Sequence, residues 1–365
     1  MIALPILRLV KQALKSSVSL RGLFFKSSLF LAGCFCFLLL SACGAENSLQ
    51  LQGETMGTTW HVTLTEQPQT RSMESLQRGL EDTFIRVNAL MSTWQVDSEL
   101  SRFNQSTSKD WVYVWPDVAK VVAIALQLST ESEGAYDITV GPLVNLWGFG
   151  PGEHAGDSIA PSPDAIQAAL KRVGYMKLQV TEHPPALRKS QPDLYVDLSS
   201  IAKGYGVDQA RQYLESQGIR HGMVEVGGEV TTWGKSARGD EWRIAIEQPN
   251  DTGRVVQQGV KLTNQGLATS GDYRNFFKQN GKRYSHTIDP KTGYPVDNVL
   301  ASVSVIAENT MLADGYATLL MALGLERART FAQKHQLAAY FIWRTDQGFA
   351  SEASAAFKPY LIQEQ

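Results

Sequence analysis

The stretch LYVDLSSIAKGYGVDQARQYLESQG (194–218) decides the fold. LYVDL (194–198) alternates apolar and polar residues as a half-buried strand does, then runs through Ser199-Ser200 into a helix that ends near Gly218. A strand feeding a helix suits a parallel sheet or an α+β fold equally, so the flanking elements must choose. Strands are expected near 222–226, 242–247 and 255–263, and another at 300–306. A strand-rich centre with helices inserted unevenly predicts α+β, with mixed, largely antiparallel sheets and packed helices, rather than a doubly wound parallel sheet.

Upstream, WHVTLT (60–65) alternates as a strand, and Met73, Leu76, Leu80, Phe84, Val87 and Leu90 recur at helical steps. A second helix is expected across 117–131. A third opens at Ser162-Pro163 and closes at Gly174, where N-cap, first-turn proline and terminal glycine agree. Downstream, Leu312, Tyr316, Leu319, Leu320 and Leu323 form the apolar side of a helix stopped by Gly324. A helix over 325–336 then precedes the strand LAAYFIW (337–343).

With 43% hydrophobic and 19% charged residues among 365, the chain can bury a large core and is not a disordered polymer. A net charge of −2 is no footprint for nucleic acid. The start is unlike the rest. Arg8, Lys11, Lys15, Arg21 and Lys26 precede LFLAGCFCFLLL (29–40), which is shorter than the roughly twenty residues of a membrane-spanning helix. Leu40-Ser41-Ala42-Cys43 then resembles a bacterial lipoprotein cleavage box. Residues 1–42 are expected to be a signal peptide, 43–50 a tether lipidated at Cys43, and 51–365 the catalytic domain. Gly44 and Ala45 stand where an inner-membrane lipoprotein usually has an aspartate, so the domain is expected to face the periplasm, from the outer membrane rather than the inner. Cys34 and Cys36 fall in the segment removed, which leaves Cys43 alone and excludes disulfides and thiolate metal sites.

The chain has no G-x-G-x-x-G after a strand, no Walker loop, no H-E-x-x-H and no G-x-S-x-G. What it has instead are polar, glycine-rich segments that suit a phosphorylated ligand and a hard cation. Ser199 and Ser200 stand where a helix begins, so free amides and hydroxyls there either hold a phosphate or simply cap the helix. Asp314 and Thr318, four apart on a helix, share a face and supply a carboxylate and a hydroxyl for Mg²⁺, or else form an ordinary solvated face. His286, in the turn-rich YSHTIDP (284–290), is the best general-base candidate among six histidines that lack metal-ligand spacing. Met56 and Trp94 would face an aromatic ligand or pack in the core.

In order behind the cleavage box come YDITVGPLVNLWGFGP (136–151), SSIAKGYGVD (199–208), VEVGGEV (224–230), ATSGDYRN (268–275), SHTIDPKTGYPV (285–296) and LADGYAT (312–318). Together they resemble the ApbE family of FAD:protein FMN transferases, from about Leu51 to the C-terminus. The resemblance implies that Met56, Trp94, Ala135, Tyr136 and Asp137 line the FAD pocket, with Ser199, Tyr205 and the backbone at Ile288 completing it. It implies a Mg²⁺ site of the Ala202 carbonyl with Asp314 and Thr318, and an activity-linked role for His286. One departure matters: some members have an aspartate one place before the metal-binding threonine, where this chain has Ala317.

The implied reaction transfers FMN from FAD, as substrate, to a Ser or Thr hydroxyl of an acceptor flavoprotein such as a membrane redox subunit, and releases AMP. Two alternatives stand beside it, the first using nearly the same site and the second needing neither Asp314 nor His286. An FAD pyrophosphatase would admit water in place of the acceptor, and a flavin-carrying lipoprotein would bind without turnover.

Overall fold

In the computed structural model, residues 48–363 are described, except 70, 251–254, 274 and 298. The predicted signal peptide and Cys43 lie outside the described residues. The chain opens with β1 (Leu49–Thr55), β2 (Thr58–Leu64), α1 (Met73–Met91), α2 (Glu99–Gln105), β3 (Val112–Tyr113), α3 (Pro116–Glu131), α4 (Gly141–Leu146) and α5 (Pro163–Leu170). Then follow β4 (Leu178–Glu182), β5 (Pro185–Lys189), α6 (Ala202–Ser216), β6 (Gly222–Val226), β7 (Glu229–Trp233), β8 (Trp242–Glu247), β9 (Val256–Leu262) and β10 (Gly266–Gly271). The hairpin β11 (Phe276–Gln279) and β12 (Lys282–Ser285) precedes β13 (Leu300–Ala307), α7 (Thr310–Leu323), α8 (Leu325–Lys334), β14 (Ala338–Thr345) and β15 (Gly348–Ala353).

Eight strands form one sheet in the order β1-β2-β6-β7-β10-β13-β14-β15, in which each described neighbouring pair is antiparallel. The fold class is α+β, as the scattered helices predict. Alternation fixes which side chains enter the core: Trp60, Val62 and Leu64 of β2 are fully buried beneath Leu76, Leu80 and Phe84 of α1. Burying each of these leucines contributes about 1.5–3 kcal/mol. In β14, Ala339 and Phe341 join the helix-side core, while Ala338, Tyr340 and Ile342 pack on the other face with Val260 of β9 and Phe357. Burial on both faces is why LAAYFIW reads as an unbroken apolar run.

The segment 194–198 is not a strand of any sheet, which corrects the opening expectation. Its period-two burial is real, since Leu194, Val196 and Leu198 are wholly buried. Among the described residues, however, it pairs with no strand. The Asn104 side chain takes that place: its Oδ1 accepts from Val196 N at 2.8 Å and its Nδ2 donates to Val196 O at 2.8 Å. The Asp197 amide donates to Ile138 O at 2.8 Å. A side-chain amide thus satisfies an extended backbone without a ladder. The helix expected to reach Gly174 ends at Leu170, beyond which three-residue turns bond Arg172 to Ala169 and Val173 to Leu170.

Candidate active site

Helix α7 carries Asp314 and Thr318, and its N-terminus is held from two directions. Asn309 caps it by accepting from Leu312 N at 2.9 Å. Asp208 of α6 accepts from both Thr310 N and Met311 N at 2.9 Å, so one carboxylate locks the two helices in register. Their approach requires Gly204, in the first turn of α6: a Cβ there would lie 2.3 Å from Thr310 O and 2.8 Å from Asp314 Cβ. The bare backbone instead lets Gly204 N donate to Asp314 Oδ2 at 2.9 Å.

Asp314 is 3% exposed, and burial pushes its pKa up to about 7. Lys203 draws it down and Glu229 raises it further. Glu229 comes from the β6–β7 hairpin, whose two-residue turn Gly227-Gly228 has both φ angles positive, a conformation glycine adopts without strain. Lys203 Nζ sits 2.6 Å from Glu229 Oε1, while Glu229 Oε2 is buried without a hydrogen-bond partner. Burial alone would lower the Lys203 pKa, yet Glu229 and Asp314 outweigh it and the net shift is upward. Lys203 is therefore a cation fixed beside Asp314.

Asp314 and Thr318 line a cavity of about 420 Å³ together with Trp94, Ala135, Tyr136, Asp137, Ser199, His286 and Ile288. A second cavity of about 600 Å³ is lined by Met56, Met91, Trp94, Ser199, Ala202 and Lys203, among others. Thr93, Trp94, Ser199 and Lys203 border both, so the two spaces adjoin there. Trp94 is 63% exposed, which places it at the rim rather than in the core. The Tyr136 hydroxyl and Ser200 Oγ lie 2.8 Å apart. The Asp137 carboxylate is already occupied, Oδ1 accepting from Thr139 N and Oγ1 in its own turn at 2.7 Å and Oδ2 from the distant Tyr175 N at 2.8 Å.

Tyr205, Ser199 and Ala202 are disposed differently from expectation. Tyr205 lines neither cavity: it is 3% exposed and its hydroxyl donates to Asp117 of α3, because that face of α6 packs inward. The amides near the start of α6 are not all free for a phosphate, since Asp197 Oδ1 accepts from Ser199 N at 2.9 Å and Asp314 takes Gly204 N. Ala202 borders the second cavity and not the first. Among the described residues, no three His, Cys, Asp or Glu side chains gather as a metal cluster. The donors present, one carboxylate and one hydroxyl on a helix face, fit a hard cation that takes its remaining oxygens from substrate and water.

His286 follows β12 and is half-buried, with the Phe149 ring edge-on to it at 6.3 Å. Burial holds its pKa below the ordinary imidazole value, and Lys203 lowers it further, against Asn275 and Asp272, which raise it. The imidazole is thus neutral near pH 7. Sequence reasoning missed the Lys203–Glu229 pair: both residues stand in quoted motifs, but no local spacing links positions on separate elements.

The ApbE family profile matches residues 56–341. The chain is 46% identical over 325 residues to the FAD:protein FMN transferase of Haemophilus influenzae, covering 88% of this chain and 94% of that one. It is 45% identical over 325 residues to that of Vibrio cholerae, covering 89% and 96%. Among solved structures, the flavin transferase ApbE from Vibrio cholerae superposes with a TM-score of 0.79 at 45% identity, covering 86% of this chain and 99% of that one. The apo flavinyl transferase ApbE of Pseudomonas stutzeri gives 0.77 at 37% identity, covering 86% and 96%. With the motifs, the antiparallel architecture and these matches in agreement, the chain belongs to the ApbE family.

Proposed function

We propose that this chain transfers FMN from FAD to a Ser or Thr hydroxyl of an acceptor flavoprotein and releases AMP. The observation that carries the reading is that Asp314, Thr318 and His286 line one cavity, which adjoins a second at Lys203 and Ser199. FAD has two aromatic ends joined by a pyrophosphate, and such paired spaces around a charged junction suit it. Asp314 and Thr318, with the Ala202 carbonyl expected from the family resemblance, would hold Mg²⁺. Bound there, the ion would neutralise charge on the pyrophosphate.

Lys203, held in place by Glu229, adds fixed positive charge at the same junction. Trp94 and Met56 offer apolar surface to the aromatic ends. The acceptor hydroxyl oxygen bonds to the FMN phosphorus as the bond from that phosphorus to the bridging oxygen breaks. The hydroxyl proton passes to His286, and the bridging oxygen leaves with AMP. The acceptor would be a protein such as a membrane redox subunit, and a lipid anchor at Cys43 would hold the enzyme facing the periplasm.

The test is incubation with FAD, Mg²⁺ and an acceptor domain, followed by intact mass and peptide mapping. An acceptor heavier by one FMN, on a single Ser or Thr, supports the reading. An unmodified acceptor alongside free FMN and AMP would make the protein a pyrophosphatase.

A further inference from the structure

His286 is oriented by one carbonyl. Its backbone N–H and its Nδ1 both reach Asn275 O, at 3.2 and 3.1 Å. A carbonyl only accepts, so Nδ1 carries the proton and Nε2 is the nitrogen left to take another. The position of the base therefore depends on what fixes Asn275, which stands immediately before β11. Asp272, just after β10, is 8% exposed. Asp272 N donates to Ala301 O of β13 at 3.1 Å. Arg344 of β14 grips both Asp272 carboxylate oxygens, at 2.6 and 3.0 Å, the paired geometry that best fixes a carboxylate. From the hairpin strand that leads to His286, Arg283 donates to the Asp272 carbonyl and lies 3.7 Å from Oδ1. The Arg283 guanidinium also rests 3.9 Å over the Phe276 ring of the facing strand. Asp272 thus joins the main sheet to the hairpin at the point where both lead to the base.

We propose that Arg344 is a positioning residue for the reaction, acting through Asp272 to fix the Asn275 carbonyl and with it the orientation and tautomer of His286. The proposal rests on His286 serving as the base in the transfer reaction above. Arg344 touches neither cavity, so its effect must pass through that chain of contacts.

The experiment compares Arg344→Gln, Arg344→Lys, Asp272→Asn and His286→Ala for FAD KM, kcat over a pH series and thermal unfolding. Misplacing the base lowers kcat for Arg344→Gln on the order of 10- to 100-fold, with FAD KM within about twofold of the parent. Arg344→Lys, which keeps the charge but not the paired geometry, recovers part of it. The charged groups that face His286 are Lys203 from α6 and Asp272. Removing the Asp272 charge moves the acid limb of kcat to lower pH, whereas removing Arg344 leaves that charge compensated by Arg283 alone and moves the limb to higher pH. A merely structural ion pair would lower the unfolding temperature of the variants and leave kcat of the folded protein at the parent value. Parent-like kcat in the folded Arg344 variants, an unchanged acid limb, or a loss confined to FAD KM would overturn the proposal. If His286→Ala transferred at the parent rate, the base assignment itself would fall, a result distinguishable from failure of the Arg344 proposal alone.

Discussion

Replacing Gly204 with alanine sets two effects of opposite sign against each other. In a helix interior alanine is favoured over glycine by about 1 kcal/mol, so propensity alone predicts a more stable protein. The new Cβ, however, would stand 2.3 Å from Thr310 O, 2.7 Å from Thr310 C and 2.8 Å from Asp314 Cβ. Two of these are backbone atoms of α7 that cannot swing aside, so α6 and α7 must part. Overpacking of this kind costs about 1–3 kcal/mol, which equals or exceeds the propensity gain, and a net loss of up to about 2 kcal/mol is expected. The parting also stretches the bond from Gly204 N to Asp314 and strains the hold of Asp208 on the start of α7. Turnover should therefore fall about tenfold or more, because a displacement near 1 Å is enough to spoil reacting geometry. Urea unfolding and AMP release under saturating FAD measure the two effects. A variant more stable than the parent with full turnover would refute the close-approach argument.

His286→Ala should bind FAD with nearly unchanged affinity yet transfer FMN about 10²- to 10⁴-fold more slowly, checked by equilibrium titration beside single-turnover kinetics. Because burial lowers the His286 pKa, the folded protein binds fewer protons there than the unfolded chain, so the neutral base and its share of stability persist through neutral pH. The stability share is lost progressively as pH falls from about 6.5 through the depressed value, and at Mg²⁺ saturation, which would keep Asp314 ionised, a pH–rate profile should be flat near 7 with the His286 limb below about 6.5. Asp314→Asn should abolish Mg²⁺-dependent AMP release, and undiminished turnover of the parent enzyme in EDTA would defeat the metal role. Cys43→Ser should leave an unlipidated chain, which mass spectrometry of the membrane fraction can detect.

Elements with clear periodicity were legible in sequence. The six apolar positions of α1 and the alternation of β2 state which face is buried, and β6 and β8 have the expected bounds. The misreading of 194–198 has a definite cause. Alternation reports side-chain burial, not the identity of the backbone's partner, and here that partner is Asn104. The Gly227-Gly228 hairpin reads in sequence as a polar motif, which conceals the strand that delivers Glu229. Asp314, Thr318 and His286 were chosen by local spacing and turn chemistry, and they do meet in one cavity. Lys203 with Glu229, and Arg344 with Asp272, stayed hidden because each pair joins separate elements that only the folded chain brings together. Tyr205 was assigned by resemblance alone, and its hydroxyl is turned toward Asp117.

The most direct test of the transferase account is stoichiometry. Purified enzyme at low concentration receives Mg²⁺, excess FAD and a large excess of a Thr-containing acceptor domain, and AMP and FMN-labelled acceptor are counted over time. The account predicts many equivalents of each per enzyme, formed one for one, with labelling lost when the acceptor threonine is replaced by valine. AMP accumulating without labelled acceptor, or FAD held at one equivalent without AMP, would contradict it.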